Sequence, residues 1–265
     1  MYKVKDIAKK IEELAPLSLA EPWDNVGLMV GDMNADISRV FVCLDVTSEN
    51  AAAAIDCGAN LIVSHHPLLF SPLKRISEND VIGSTVMSLI RNDISVYSAH
   101  TNFDNAIGGM NDILAEKLEL IDIRVYTDEE CRDALGNPTC KIGRVGRLES
   151  PLELGDYVSF VKSVLGCRTI RYVGDPTETI SNVALCSGAG GDGIYSAYHA
   201  GADVYVTSDI KHHEAQLAFE LGINMIDAGH FETENIICEF MHNYLGESFP
   251  SVSIISSDSE PYFKI

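Results

Sequence analysis

The stretch SRVFVCLDVTSENAAAAIDCGANLIVS, residues 38–64, aligns without gaps to SNVALCSGAGGDGIYSAYHAGADVYVT, residues 181–207. Ser38, Val40, Cys43, Ala54, Gly58, Ala59 and Val63 meet identical residues at Ser181, Val183, Cys186, Ala197, Gly201, Ala202 and Val206. Each stretch reads as strand, turn, helix, glycine and strand, the pattern of a βαβ unit. Two such units share composition, so convergence competes with internal duplication, and duplication is the favoured reading. Either way the expected class is α/β, with two similar lobes, largely parallel strands and a cleft between the lobes.

Three apolar runs end in residues of metal-ligating type. Leu61-Ile62-Val63-Ser64 leads into His65-His66-Pro67. Ile94-Ser95-Val96-Tyr97-Ser98-Ala99 leads into His100, with Asp104 four residues on. Ile223-Asn224-Met225-Ile226-Asp227-Ala228-Gly229 leads into His230, then Glu234. Ligands of α/β proteins sit at the carboxyl ends of the strands, so a shared metal site is expected there, in the cleft. Each cluster alone has a simpler reading. The His-His-Pro could be a helix cap beside a solvated loop residue, Asp104 an N-cap, and His230 with Glu234 a helix-start pair. Successive strand residues point in opposite directions, so adjacent histidines suit a site with two ions, one each.

Composition narrows the function. The chain has 265 residues, enough for one large domain or two small ones, and a formal charge of −20. That charge, with no basic run, argues against a nucleic-acid polymer as partner. A small anionic or nucleotide substrate would need a metal or local cations such as Lys74, Arg75 and Lys211. The opening residues lack the apolar core of a secretory signal, and no run is long enough to span a bilayer. Seven scattered cysteines, among them Cys43, Cys140 and Cys186, form no C-x-x-C pair. They read as reduced core thiols in a cytoplasmic protein.

Helical spacing of apolar residues predicts a helix over 4–15, stopped by Pro16, and a last helix over about 233–245. Residues 126–150 are polar and carry the Asn137-Pro138 turn signal, so the lobes are expected at 1–127 and 128–265. The segment from about residue 232 is expected to pack back on the first lobe. A final strand at 251–255 and a tail at Tyr262-Phe263 should follow. Gly188-Ala189-Gly190-Gly191-Asp192-Gly193 has the setting of a phosphate cradle but lacks a P-loop ending, and a tight turn is the favoured reading. Lys211-His212-His213-Glu214 either lines the site or opens a solvated helix. His199 and His242 read as packing or surface residues.

Taken in order, Trp23-Asp24-Asn25-Val26-Gly27-Leu28, Ser64-His65-His66-Pro67, His100-Thr101-Asn102-Phe103-Asp104 and Gly229-His230-Phe231-Glu232-x-Glu234 resemble the dinuclear metal centre family of GTP cyclohydrolase 1 type 2 homologues. Ser187-Gly188-Ala189-Gly190 and Thr207-x-Asp209-x-Lys211 add two further blocks. By that resemblance His65, His66, Asp104, His230 and Glu234 match the five metal-binding positions for two divalent ions per chain. His65 and His66 would serve different ions, and His230 would complete one of them. Nitrogen and oxygen donors admit Zn, Fe, Mn, Co or Ni. The resemblance also implies a homohexamer, and a compact form without the domain that some members insert between the halves. Met29 stands where the family pattern has Gln, and Ser208 where it has Gly.

The leading expectation is a metal-dependent hydrolase using metal-activated water, with GTP cyclohydrolase-like chemistry as its specific form. His100 and His213 are the candidates for proton transfer. The alternative is a non-catalytic protein that stores, delivers or senses metal, or serves as a regulatory assembly.

Overall fold

The computed structural model describes residues 1–139 and 141–262. Cys140 and Phe263 of the expected tail lie outside the described residues. The chain forms two compact units, the first comprising Met1–Ile107 with Ile237–Glu260 and the second built on Gly108–Ile236. Residues 108–127 belong to the second unit because Leu114, Ala115, Leu118 and Leu120 enter its core. Among the described residues no helix is long and apolar enough to cross a membrane.

The first unit carries a five-stranded sheet in the order Ser253–Ser256, Arg39–Cys43, Leu61–Ser64, Ser95–Ser98, Gly27–Val30. The first four strands run parallel and the last is antiparallel. Leu61, Ile62 and Val63 are at most 1% exposed, as expected of a parallel strand covered on both faces. Phe41, Cys43, Ile62 and Val96 pack against Ala51 and Ala54 of helix Ser48–Asp56 and against Val86 and Leu89 of helix Val81–Arg91. Helix Val4–Leu14 forms as its periodicity predicts, burying Val4, Ile7, Ala8 and Ile11. The expected last helix is two, His230–Glu234 in the second unit and Ile236–Ser248 after it.

The second unit has six strands in the order Ile121–Arg124, Arg144–Glu153, Thr179–Leu185, Val204–Thr207, Asn224–Asp227, Arg171–Val173. Its three parallel strands are Thr179–Leu185, Val204–Thr207 and Asn224–Asp227, and its other strands pair antiparallel. Side chains alternate between faces as strand geometry requires. Val183, Leu185, Val204, Val206 and Ile226 pack with Tyr157 and Val161 of helix Leu154–Leu165. Ala184, Cys186, Tyr205 and Met225 pack with Ile194, Ala197 and Ala218 on the other face. Arg144, only 2% exposed, holds Asp112 by paired bonds of 2.5 and 3.1 Å. The strand Arg144–Glu153 occupies part of the segment expected to be a polar connector. Its inward positions are held by Val145, Gly146 and Leu148, too few apolar residues to show as a run.

Both units are mixed α/β, and the aligned stretches share several of their hydrogen bonds. Asn60 Oδ1 accepts from the backbone N–H of Ser38 and Arg39, and Asp203 Oδ2 accepts from those of Ser181 and Asn182. Ala59 N–H donates to Ala54, and Ala202 N–H to Ala197. Gly58 and Gly201, at φ 71° and 76°, close the two helices in the left-handed conformation that glycine adopts without steric cost. Cys43 and Cys186 are core thiols as expected, at 0% and 4% exposure. Burial pushes the Cys43 thiol well above its ordinary range.

The matched brace makes a prediction. Asp203→Asn retains the kind of acceptor that Asn60 supplies, and urea denaturation should place it within about 0.5 kcal/mol of the parent. Asp203→Ala removes the acceptor from two backbone amides and should cost about 1–2 kcal/mol.

Candidate functional site

In the first unit the backbone ladder continues past the strands, His65 N–H donating to Cys43 and His66 N–H to Leu44. Ser64 Oγ bonds the His66 carbonyl at 2.9 Å and Ser98 Oγ at 2.8 Å, which fixes the turn from which both imidazoles emerge. His65 is fully buried, and its Nδ1 lies 2.8 Å from the Ala99 carbonyl oxygen. A carbonyl only accepts, so Nδ1 carries a proton and Nε2 is the nitrogen turned toward the site. That Nε2 lies 3.5 Å from Asp104 Oδ1. An imidazole nitrogen and a carboxylate oxygen brought together in a buried place are the kinds of donor that a shared cation takes.

The other first-unit imidazoles are anchored in the same way. His66 Nδ1 lies 2.7 Å from Asp45 Oδ1, and His100 Nδ1 lies 2.9 Å from Asp24 Oδ1. One ligating nitrogen from each of His65, His66 and His100 falls within 4.8 Å of the others. The three rings are 5.1–5.5 Å apart, so the adjacent histidines converge despite strand alternation. His100, expected as a proton-transfer group, is therefore brought into the imidazole cluster. Burial favours the neutral form of Asp24. Bonds from His100 and from the Thr101 hydroxyl outweigh it and hold the carboxyl down at about 2. Asp24 is thus a fixed anion behind His100.

In the second unit, helix His230–Glu234 sets its first and last residues on one face. His230 Nε2 lies 2.9 Å from Glu234 Oε2, and His230 Nδ1 lies 2.8 Å from Asp209 Oδ2. Glu234 is 4% exposed. Gly188 lies against this pair at φ 62°: a Cβ there would stand 2.1 Å from Glu234 Oε1 and 3.3 Å from His230 Nε2. Its N–H donates to Thr233 Oγ1, and its carbonyl accepts from Ser208 Oγ at 2.5 Å. Gly190 N–H is taken by Thr207 Oγ1. The glycine-rich segment is thus a packed turn in which the Gly188 and Gly190 amides bond to the protein, and Ser208 helps to tie it. Met29, the other departure from the family pattern, packs against the first unit's core.

His213 is 74% exposed at the start of helix His212–Leu221, with Glu214 at 4.0 Å. His199 and His242 make only peripheral bonds, to Glu130 O and Ser256 Oγ. Sequence reasoning passed over the anchoring role of three aspartates. Asp24 and Asp209 stood inside quoted motif blocks, but Asp45 carried no signal beyond following a strand. The donors are imidazole nitrogens and carboxylate oxygens, each histidine oriented through Nδ1. Metal-binding histidines are oriented in this way, and these buried His/Glu groups could hold divalent ions.

Residues 2–261 match the profile of the Duf34/NIF3 (NGG1p interacting factor 3) family. A Clostridium perfringens protein named GTP cyclohydrolase 1 type 2 homolog is 40% identical over 232 residues, covering 88% of this chain and 87% of the relative. A Bacillus subtilis protein of the same name is 30% identical, covering 86% and 88%, over 327 aligned positions. That span exceeds the length of this chain, as an insertion in the relative produces. Among solved structures, a Bacillus cereus protein related to NIF3 superposes with TM-score 0.89 at 26% identity, over 100% of this chain and 99% of the other. The chain belongs to the Duf34/NIF3 family.

Gly188→Ala should displace the Glu234 carboxylate and place a side chain in left-handed backbone. A loss of about 1–3 kcal/mol in urea denaturation is expected, together with weaker divalent-metal uptake measured by titration calorimetry.

Proposed function

We propose that this protein is a metal-dependent hydrolase that holds two divalent ions through His65, His66, Asp104, His230 and Glu234 and acts on a small anionic substrate. The observation that carries the reading is the shared orientation of its histidines. His65, His66 and His230 each turn Nδ1 to an oxygen acceptor, and Nε2 of His65 and of His230 faces a carboxylate. Such ions, when bound, supply Lewis-acid activation of water for attack on an electrophilic centre. Asp45 and Asp209 orient imidazoles and raise their basicity. His100, held at Nδ1 by the fixed anion Asp24, is placed to take and return a proton at Nε2. Within this class, the name shared by the relatives points to opening of a purine imidazole ring by water.

Elemental analysis of the purified protein tests the reading. About two ions per chain are expected, with the content lowered in both Asp104→Ala and His230→Ala. The loaded protein should then turn over a member of a panel of phosphate esters and nucleotides. A full complement of metal with no turnover would make the protein a metal carrier. Failure to take up metal on reconstitution would sink the hydrolase assignment.

A further inference from the structure

Two large aromatic side chains of the first unit lie side by side in solvent. Trp23 is 58% exposed and Phe70 is 51% exposed, with ring centroids 6.0 Å apart. Both approach His100 edge-on, at 6.3 Å and 75° for Trp23 and at 6.4 Å and 84° for Phe70. The pair therefore flanks the same imidazole that closes the cluster with His65 and His66.

The loops that carry them are fixed. Asp24, next to Trp23, bonds His100 and the backbone of Thr101, and Asn25 Nδ2 donates 2.6 Å to the carbonyl of Leu69, next to Phe70. Tyr97 and Phe103 of the same unit are buried, at 1% and 0% exposure, whereas these two rings stay outside beside the imidazole cluster. Lys74 and Arg75 follow Phe70 on the same loop and are exposed. They add positive charge to an otherwise acidic chain.

We infer that Trp23 and Phe70 form a stacking platform for a planar heteroaromatic ring of the substrate, with Lys74 and Arg75 offering charge to its anionic group. The platform rests on the reading of the neighbouring histidines as the reacting centre, and it names the substrate class of that centre. Aromatic faces accept any flat π-system, so the platform selects planarity while His100 and its neighbours select the chemistry.

Trp23 is the only tryptophan of the chain, so its emission reports occupancy directly. GMP should quench it saturably, and ribose 5-phosphate, which has the phosphate but no ring, should not. Phe70→Ala should weaken GMP binding about tenfold, and Lys74→Ala with Arg75→Ala should weaken it further. The metal content of these variants should stay at the parent value. All these positions are exposed, so the variants are expected to fold, and circular dichroism checks this. Equal responses to GMP and ribose 5-phosphate would overturn the platform. So would an emission insensitive to GMP, including one that instead shifts with protein concentration because a second copy covers the patch. The quenching is read on metal-free and metal-loaded protein alike. A chain that stacks GMP but takes up no metal refutes the hydrolase reading alone, and one that loads metal but ignores GMP refutes the platform alone.

Discussion

The hydrogen bond that His65 Nδ1 donates to the Ala99 carbonyl joins the ends of two adjacent parallel strands, Leu61–Ser64 and Ser95–Ser98. It sits where Ala99 N–H donates back to Ser64 and the hydroxyls of Ser64 and Ser98 meet. Because a carbonyl cannot donate, this one contact places a proton on Nδ1 of a fully buried imidazole. It thereby turns Nε2, the other ring nitrogen, to Asp104. The position of His66 follows from the same turn, and His100 follows Ala99 directly. Without the pairing of these strand ends there would be no reason for three imidazoles to converge.

The second unit shows the same frame put to different use. Its strand ends are tied by Ala228 N–H to Thr207, the counterpart of Ala99 to Ser64. Its edge is braced by Asp203 where the first unit uses Asn60. The side chains beyond those ties differ. Where the alignment places His65 and His66, the second unit has Ser208, which clasps the Gly188 turn, and Asp209, which anchors His230. Where the first unit has Asp45 supporting His66, the second has Gly188, whose missing side chain leaves room for Glu234. A repeated scaffold thus keeps backbone bonds that stabilise the fold and exchanges the residues just past them.

That division also explains what the sequence disclosed. Parallel strands buried on both faces write continuous apolar runs, and the residues ending those runs were recognisable as Leu61–Ser64 and Asn224–Asp227 gave way to His65 and His230. The metal-ligating residue types are few, so the five matched positions stood out. Antiparallel strands left little trace: Arg144–Glu153 pairs two neighbours with two arginines, a glycine and a proline among its residues, and it reads as connector. The anchors Asp24, Asp45 and Asp209 are common residue types, and their importance lies in a distance to a nitrogen that sequence spacing does not encode. The division between the units was hidden for a similar reason. Helix Met110–Lys117 and strand Ile121–Arg124 look like a continuation of what precedes them until their core partners are known.

The anchoring aspartates bear on the order in which the site is filled. A chain of charge −20 repels anions and draws cations at long range. His66, His100 and His230 are backed by carboxylates, and Asp24 stays ionised at any ordinary pH because bonds to His100 and Thr101 outweigh its burial. Each carboxylate behind an Nδ1 strengthens the donor at Nε2. An anionic substrate meets a favourable field only after positive charge has been added to this cluster, whereas a divalent cation meets one from the start. On the proposed reading, the electrostatics of the chain therefore favour metal first and substrate second. They also assign the exposed aromatic pair its share of the work, because stacking on a neutral π-face is the part of substrate binding that does not depend on the sign of the surrounding charge.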